Sequence, residues 1–364
     1  MERLRAEVAV PQELGKGRPP SSKRGACRVS AVARTTLVIP AHNAARTIGS
    51  CLAAVSAMDA RPGRVVVLDD RSADSTAALA RSAGAEVVAV PADGGLGRAR
   101  NLGILLAADG LLAFLNADCR PRPSWLGLLL TAMEQTGAAV VGGRQVELRH
   151  GTWAERWKAL HLRQDLGDQP ITDPDFLSGG NLVVDPAKLS GVRFDTRFCE
   201  AYEDVAFCRA LRAAGRHLLY EPAAVVGHDH NETLRTLPRK VWSYGIHSRS
   251  VGPVTSIRDV PGAFLRMHTR PHDQVRRALS HDLRCARSWS FLIDMYLLAA
   301  SLGLFIQHVR QQKPKAPRRA TPRSCDETKP TQGHDLPYHH GVQQQVPQLR
   351  NLATPIASEG ARDG

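Results

Sequence analysis

The chain has little that would brace it in an oxidising compartment and little that would read a nucleic acid. Its seven cysteines are odd in number and scattered, with no C-x-x-C pair. That argues against a disulfide framework and fits a reducing cytoplasm. Aromatic residues make up only 5% of the chain, too few for base-stacking platforms, and no recognition motif appears, so nucleic acid is not an expected partner. Acidic residues are outnumbered, 35 Asp and Glu against 48 Lys and Arg, for a formal charge of +13. Either the surface is simply Arg-rich and solvated, or it attracts something anionic: a nucleotide, a phosphate-bearing lipid or a membrane surface. Residues 1–34 hold no apolar run of signal-peptide length, so the expected location is cytoplasmic, peripheral at the inner face of the plasma membrane.

The ends also lack hydrophobic periodicity. Residues 1–34 are rich in Arg, Lys, Pro, Gly and Ser, and 311–364 in Pro, Gln, His and basic residues. Both read as disordered tails. Between them, 35–255 reads as one domain and 256–310 as a C-terminal helical segment. Residues 289–306 are mostly apolar but interrupted by Asp294. That is the lower length limit for a membrane span, and a central Asp costs roughly 2.5–3.5 kcal/mol on insertion. A packed helix, a helix lying on a membrane surface and a true span are the three readings, in that order.

In the body, short apolar runs alternate with helical patterns. Strands are predicted at 36–40, 64–68, 86–90 and 111–115, and helices at 44–58, 72–84 (with Ser72 as N-cap) and 98–108. This alternation predicts an α/β fold with a mostly parallel central sheet flanked by helices. Further on come helices at 125–135, 153–163, 203–214 and 234–250. Strands follow at 138–142, at 176–184 through a glycine bend, and as two short pieces at 217–220 and 223–226.

Chemistry gathers at strand ends. The run Leu111-Leu112-Ala113-Phe114-Leu115 stops at Asn116-Ala117-Asp118. On an extended chain i and i+2 point the same way, so both oxygens could face one hard divalent ion, Mg²⁺ or Mn²⁺. Asp69-Asp70 ends another strand, as turn chemistry or as a carboxylate for a base or ribose. The loop Gly94-Gly95-Leu96-Gly97, followed by Arg98 and Arg100, is either a plain loop or a phosphate cradle. It is not a dinucleotide fingerprint. His228-Asp229-His230 could add metal ligands or be surface histidines. Glu203-Asp204 opens a helix and either compensates its dipole or supplies a general base. Asp204, three residues before Phe207, is placed inward and Glu203 outward, so Asp204 is the chosen base.

Six of these pieces stand in one order. They are Thr36-Leu37-Val38-Ile39-Pro40-Ala41-His42-Asn43, Leu68-Asp69-Asp70-Arg71-Ser72, Gly97-Arg98-Ala99-Arg100-Asn101, Asn116-Ala117-Asp118, Gly179-Gly180-Asn181 and Glu203-Asp204. Over about 35–230 the chain resembles the family 2 glycosyltransferases, which have a GT-A fold. The resemblance implies inverting transfer of a hexosyl group from a nucleoside-diphosphate sugar to an acceptor hydroxyl on a lipid, glycan or small molecule. Carried over by position, Pro40, Ala41, Asn43 and Asp70 lie around the nucleoside, and Arg98, Arg100 and Asn116 near the donor. Asp118 ligates the divalent metal (Mg²⁺ or Mn²⁺), with His228 and His230 beside it. Gly179, Gly180, Asn181 and Glu203 form the acceptor/donor loop, and Asp204 is the base. Asn116 replaces the first acid of D-x-D, and Arg71 replaces the usual glycine after the acidic pair. The rival reading is a non-catalytic nucleotide or sugar binder on the same fold.

Overall fold

A computed structural model describes residues 31–91, 94–107, 110–198, 201–247, 274–285 and 287–312. The tails expected at 1–34 and 311–364 lie outside the described residues, apart from 31–34 and 311–312.

Strand β1 (Thr35–Ala41), helix α1 (Ile48–Ser56), β2 (Arg64–Asp69), α2 (Thr76–Ser82), β3 (Glu86–Ala89), α3 (Leu96–Leu106) and β4 (Leu111–Leu115) follow one another. The strands pair in parallel in the order β3-β2-β1-β4. β4 shows why its sequence is apolar throughout. Ala113 and Leu115 enter the core on one face of the sheet, and Leu112 and Phe114 the core on the other. A strand covered on both faces has no polar side, and each fully buried Leu or Phe contributes about 1.5–3 kcal/mol.

Next come β5 (Cys119–Pro121), α4 (Trp125–Thr136), β6 (Val140–Glu147), α5 (Trp153–His161), β7 (Ile171–Thr172), β8 (Asn181–Val184), α6 (Glu203–Ala213) and β9 (Leu218–His228). Here the sheet turns mixed. β8 runs antiparallel to β4 and β6, β9 runs parallel to β6, and β5 and β7 run antiparallel to β9. The parallel sheet expected from the alternation thus occupies its N-terminal half.

Two local expectations change. The two short strands expected at 217–226 are one strand, β9. Its register against β6 jumps from Glu221↔Gly143 to Val225↔Arg144. The jump takes up Pro222, which has no N–H for a ladder and so sits at a bulge. Ser72 is not a helix cap: α2 starts at Thr76, and the Ser72 hydroxyl is used elsewhere.

A third core joins α5 to α7 (Leu237–His247), α8 (Gln274–Arg284) and α9 (Ser288–Gln312) through Trp157, Leu237, Val241, Ala278, Ile293 and Leu297. Asp294, which interrupts the apolar run of α9, is buried and accepts a 2.8 Å hydrogen bond from Trp157 Nε1. No helix among the described residues is long and apolar enough to cross a membrane.

Candidate active site

Because β1, β2 and β4 are parallel, their C-terminal ends share one edge, where open α/β sheets carry ligands. The loops leaving β1 and β2 are sewn together there. Asn43 N–H donates to Ser72 Oγ at 2.9 Å, Ala73 N–H to Asn43 Oδ1 at 2.8 Å, and Ala44 N–H to Thr76 Oγ1 at 2.7 Å. Asn43 and Arg71 both adopt left-handed backbone, φ 49° and 57°, which explains why glycine suits position 71. Asp70 accepts from Arg71 Nε at 2.9 Å and from Gly95 N–H at 2.8 Å. The end of β2 is thereby tied to the glycine loop. Pro40 and Ala41 close β1 beside it, and the Asp70 N–H donates to the Ala41 carbonyl at 2.8 Å.

The expectation that Asn116 and Asp118 share a side fails, because the chain is not extended there. Cys119 N–H donates to the Asn116 carbonyl at 3.0 Å, closing a turn. The Asn116 amide lies against Gly180 and 3.4 Å from an Arg100 nitrogen. Asp118 instead meets the histidines. Its Oδ2 is 3.2 Å from His228 Nε2 and 3.1 Å from His230 Nδ1. The strand register does this: β5 pairs Cys119 with His228, and Asp229 N–H reaches the Asp118 carbonyl at 2.7 Å.

Sequence reasoning missed what stands behind this cluster. The far nitrogen of His228 is 2.9 Å from Glu147 Oε1, and Lys158 Nζ is 2.5 Å from Glu147 Oε2. Glu147 is the register partner of His228 across β6 and β9, a pairing no local pattern reveals. Behind His230 sits the buried Glu232, paired with Lys240 at 3.0 Å. Burial penalises the Asp118 carboxylate, but the charges and hydrogen bonds of His228 and His230 hold it well below its usual range. Burial also disfavours the His228 imidazolium, yet Asp118 and Glu147 raise it overall. Ligand atoms of Asp118, His228 and His230 all lie within 4.8 Å of one another. One carboxylate and two imidazoles, one of them oriented from behind by a carboxylate, form a donor set that fits a divalent ion. Just past β9, Asp229 collects Arg46, Arg120 and Arg149.

Helix α6 corrects two expectations. Its buried face runs through Phe207, Cys208 and Leu211, while Ala210 is exposed. Both Glu203 and Asp204 therefore lie one turn before a buried residue. Glu203, expected to point outward, is the more buried of the two and ion-pairs with Arg100 inside the protein. Arg100, expected at the donor phosphates, is 1% exposed. It stands beneath the site, and Arg98, two residues earlier in α3, is half-buried. The cysteine was the unread signal, since it behaves as a small hydrophobe.

Asp204 Oδ2 accepts from Gly179 N–H at 3.0 Å. Burial, and then the neighbouring Glu203 charge, push its carboxyl up to about 6, against the pull of Arg100 and two backbone N–H groups. Gly179 and Gly180 are glycines because of close approach: a Cβ would fall 2.5 Å from the Arg100 guanidinium carbon and 2.2 Å from Asn116 Cγ, respectively. The Asn181 side chain is buried, accepting from Trp125 Nε1 at 2.6 Å and donating to the Arg144 carbonyl at 3.0 Å.

A half-parallel, half-mixed sheet carrying an acidic strand end, a glycine loop and a carboxylate–histidine cluster at one edge is the GT-A architecture. The family described as Glycosyl transferase family 2 matches residues 36–196. Among similar proteins, glycosyltransferase AglE of Haloferax volcanii is 33% identical over 213 residues, covering 50% of this chain and 69% of that protein. The pre-mycofactocin glycosyltransferase of Mycobacterium tuberculosis is 31% identical over 219 residues, covering 58% of this chain. The chain spans only 46% of that relative's length. Two solved structures are similar in outline. A Pyrobaculum calidifontis mannosyltransferase in complex with GDP-Man and Mn²⁺ has a TM-score of 0.49 at 16% identity, over 77% of this chain and 88% of that one. Glucosyl-3-phosphoglycerate synthase from M. tuberculosis, in complex with Mn²⁺, UDP and glucosyl-3-phosphoglycerate, has a TM-score of 0.46 at 20% identity, over 64% of this chain and 84% of that one. The chain belongs to glycosyl transferase family 2.

Proposed function

We propose that the chain is a metal-assisted, inverting glycosyltransferase that moves a hexosyl group from a nucleoside-diphosphate sugar to an acceptor hydroxyl. The observation that carries this is the convergence of Asp118, His228 and His230 just past the C-terminal end of β4. Two imidazoles favour Mn²⁺ over the harder Mg²⁺. A bound divalent ion supplies charge neutralisation for the departing diphosphate. The β1 and β2 loops hold the nucleoside among Pro40, Ala41, Asn43 and Asp70, and Arg98 adds positive charge near the phosphates. Asp204 takes the proton of the acceptor hydroxyl. The freed oxygen bonds to the anomeric carbon from the face opposite the diphosphate, and the breaking C–O bond leaves its electron pair on that diphosphate. The backbone N–H groups of Gly179 and Val205 hold the Asp204 carboxylate in place.

In this reading 35–255 is the catalytic domain and 256–310 an appended helical segment at an anionic membrane surface on the cytoplasmic side. Leu292 (69% exposed), Met295 and Leu302 line the face of α9 opposite Ile293 and Leu297, which supports that docking. Flotation with anionic vesicles, lost in Leu292→Asp, tests it. The acceptor is a lipid, glycan or small molecule.

The neutral Asn116 in the D-x-D position favours one rival, a nucleotide binder without turnover. Calorimetric titration of UDP, GDP and dTDP, with and without Mn²⁺, separates the two. Binding that needs both Mn²⁺ and Asp118, with sugar transfer that Asp204→Asn abolishes, supports the transferase. Metal-independent binding and no transfer support the binder.

A further inference from the structure

A second cluster of metal-ligating side chains lies away from the nucleotide edge, where α5 meets α8 and α9. His161 Nε2 on α5 is 3.0 Å from Asp282 Oδ2 on α8 and 3.1 Å from Ser290 Oγ on α9. His281 Nδ1 is 3.0 Å from the other oxygen of Asp282. One turn on, the free thiol of Cys285 is 3.8 Å from His281 Nε2. Ligand atoms of His161, His281 and Asp282 lie within 4.8 Å of one another.

Asp282 and Asp294 are both 1% exposed. Asp294 accepts a 2.8 Å hydrogen bond from Trp157 Nε1. One Asp294 oxygen, Oδ2, is buried and receives no hydrogen bond. Two buried carboxyls side by side are costly unless a cation or a shared proton compensates them.

We propose that His161, His281 and Asp282 form a site for a zinc-like divalent ion that staples the C-terminal helices to α5. Two imidazoles and a carboxylate are three of the donors that tetrahedral zinc takes, with water as the fourth. Cys285 stays outside the set, because its thiol lies at Nε2 of His281 and the Asp282 carboxylate at Nδ1. His161 is three residues past Lys158, which contacts Glu147 and His228. A staple at His161 therefore steadies the helix that backs the first metal cluster.

The test is titration of the full chain with Zn²⁺ and Co²⁺ in the Asp118→Ala background, where the first site is removed. Asp118→Ala should still bind one Co²⁺ per chain. His281→Ala should weaken uptake by at least about 100-fold, the upper end of what losing a mere outer-shell partner costs. Cys285→Ser should leave uptake unchanged. The His281 side chain is 41% exposed, so its variant does not threaten the fold. Zinc should raise the melting temperature of Asp118→Ala but not of Asp118→Ala/His281→Ala. The proposal is overturned if Asp118→Ala takes up no metal, or if its uptake is indifferent to His161→Ala and His281→Ala. Either result leaves Asp118-dependent nucleotide binding untouched, so the two sites are judged separately.

Discussion

Glu147 Oε1 lies 2.9 Å from the nitrogen of His228 that faces away from Asp118. In the metal-bound form the carboxylate accepts from Nδ1–H, and Nε2, on the Asp118 side, gives up its proton to ligate, the orientation a metal-binding histidine needs. Glu147→Gln keeps the shape and weakens that preference. Its Mn²⁺ affinity, read by calorimetry in the presence of the nucleotide, should fall about 10- to 100-fold, with little loss at the nucleoside end. Unchanged affinity would mean that His228 does not ligate.

Asp204 sets a pH dependence of activity. A base must be ionised to act, and this carboxyl is raised to about 6. Transfer rates should climb as pH rises through about 6 and level off above it. Asp204→Asn should abolish transfer and, with it, that limb of the profile.

The same group sets a pH dependence of stability with the opposite slope. Between the ordinary carboxyl value and about 6, the folded state binds the proton more tightly than the unfolded chain. Stability therefore falls as pH rises through that window. Melting temperatures of Asp204→Asn should exceed those of wild type near pH 7, and the gap should shrink toward pH 4.

Arg100 and Glu203 form an ion pair with both side chains almost fully buried. Removing one partner leaves a buried, uncompensated charge, so Arg100→Leu should cost about 3–5 kcal/mol in denaturant unfolding. Arg100→Leu/Glu203→Leu should recover much of it. An Arg100 that mainly binds donor phosphate would instead lower nucleotide affinity with little effect on stability.

Gly180→Ala would bring a methyl group into Asn116. Overpacking of this kind costs about 1–3 kcal/mol, and the displaced Asn116 should weaken nucleotide binding as well. Ala at exposed Gly49, where a Cβ meets nothing within 4 Å, is the matched control and should change neither reading.

What could be read from the chain alone were the features governed by neighbours in sequence. The strand 111–115 is legible because burial on both faces makes every position apolar, and its bounds agree with β4. The strand–helix alternation up to Leu115 is legible for the same reason, as are the carboxylates and histidines that end the strands. The order of six short motifs pointed to the family. Tertiary structure decided where those side chains look. A turn at Asn116 parts it from Asp118, and a buried Cys208 rotates α6 so that Glu203 goes inward to Arg100. The register of β9 between β5 and β6 puts Asp118, His228 and Glu147 in one line. Contacts made across 110 residues of chain, as between Asp118 and His228, depend on pairing and register. Neither is written in the local pattern of hydrophobic and polar residues.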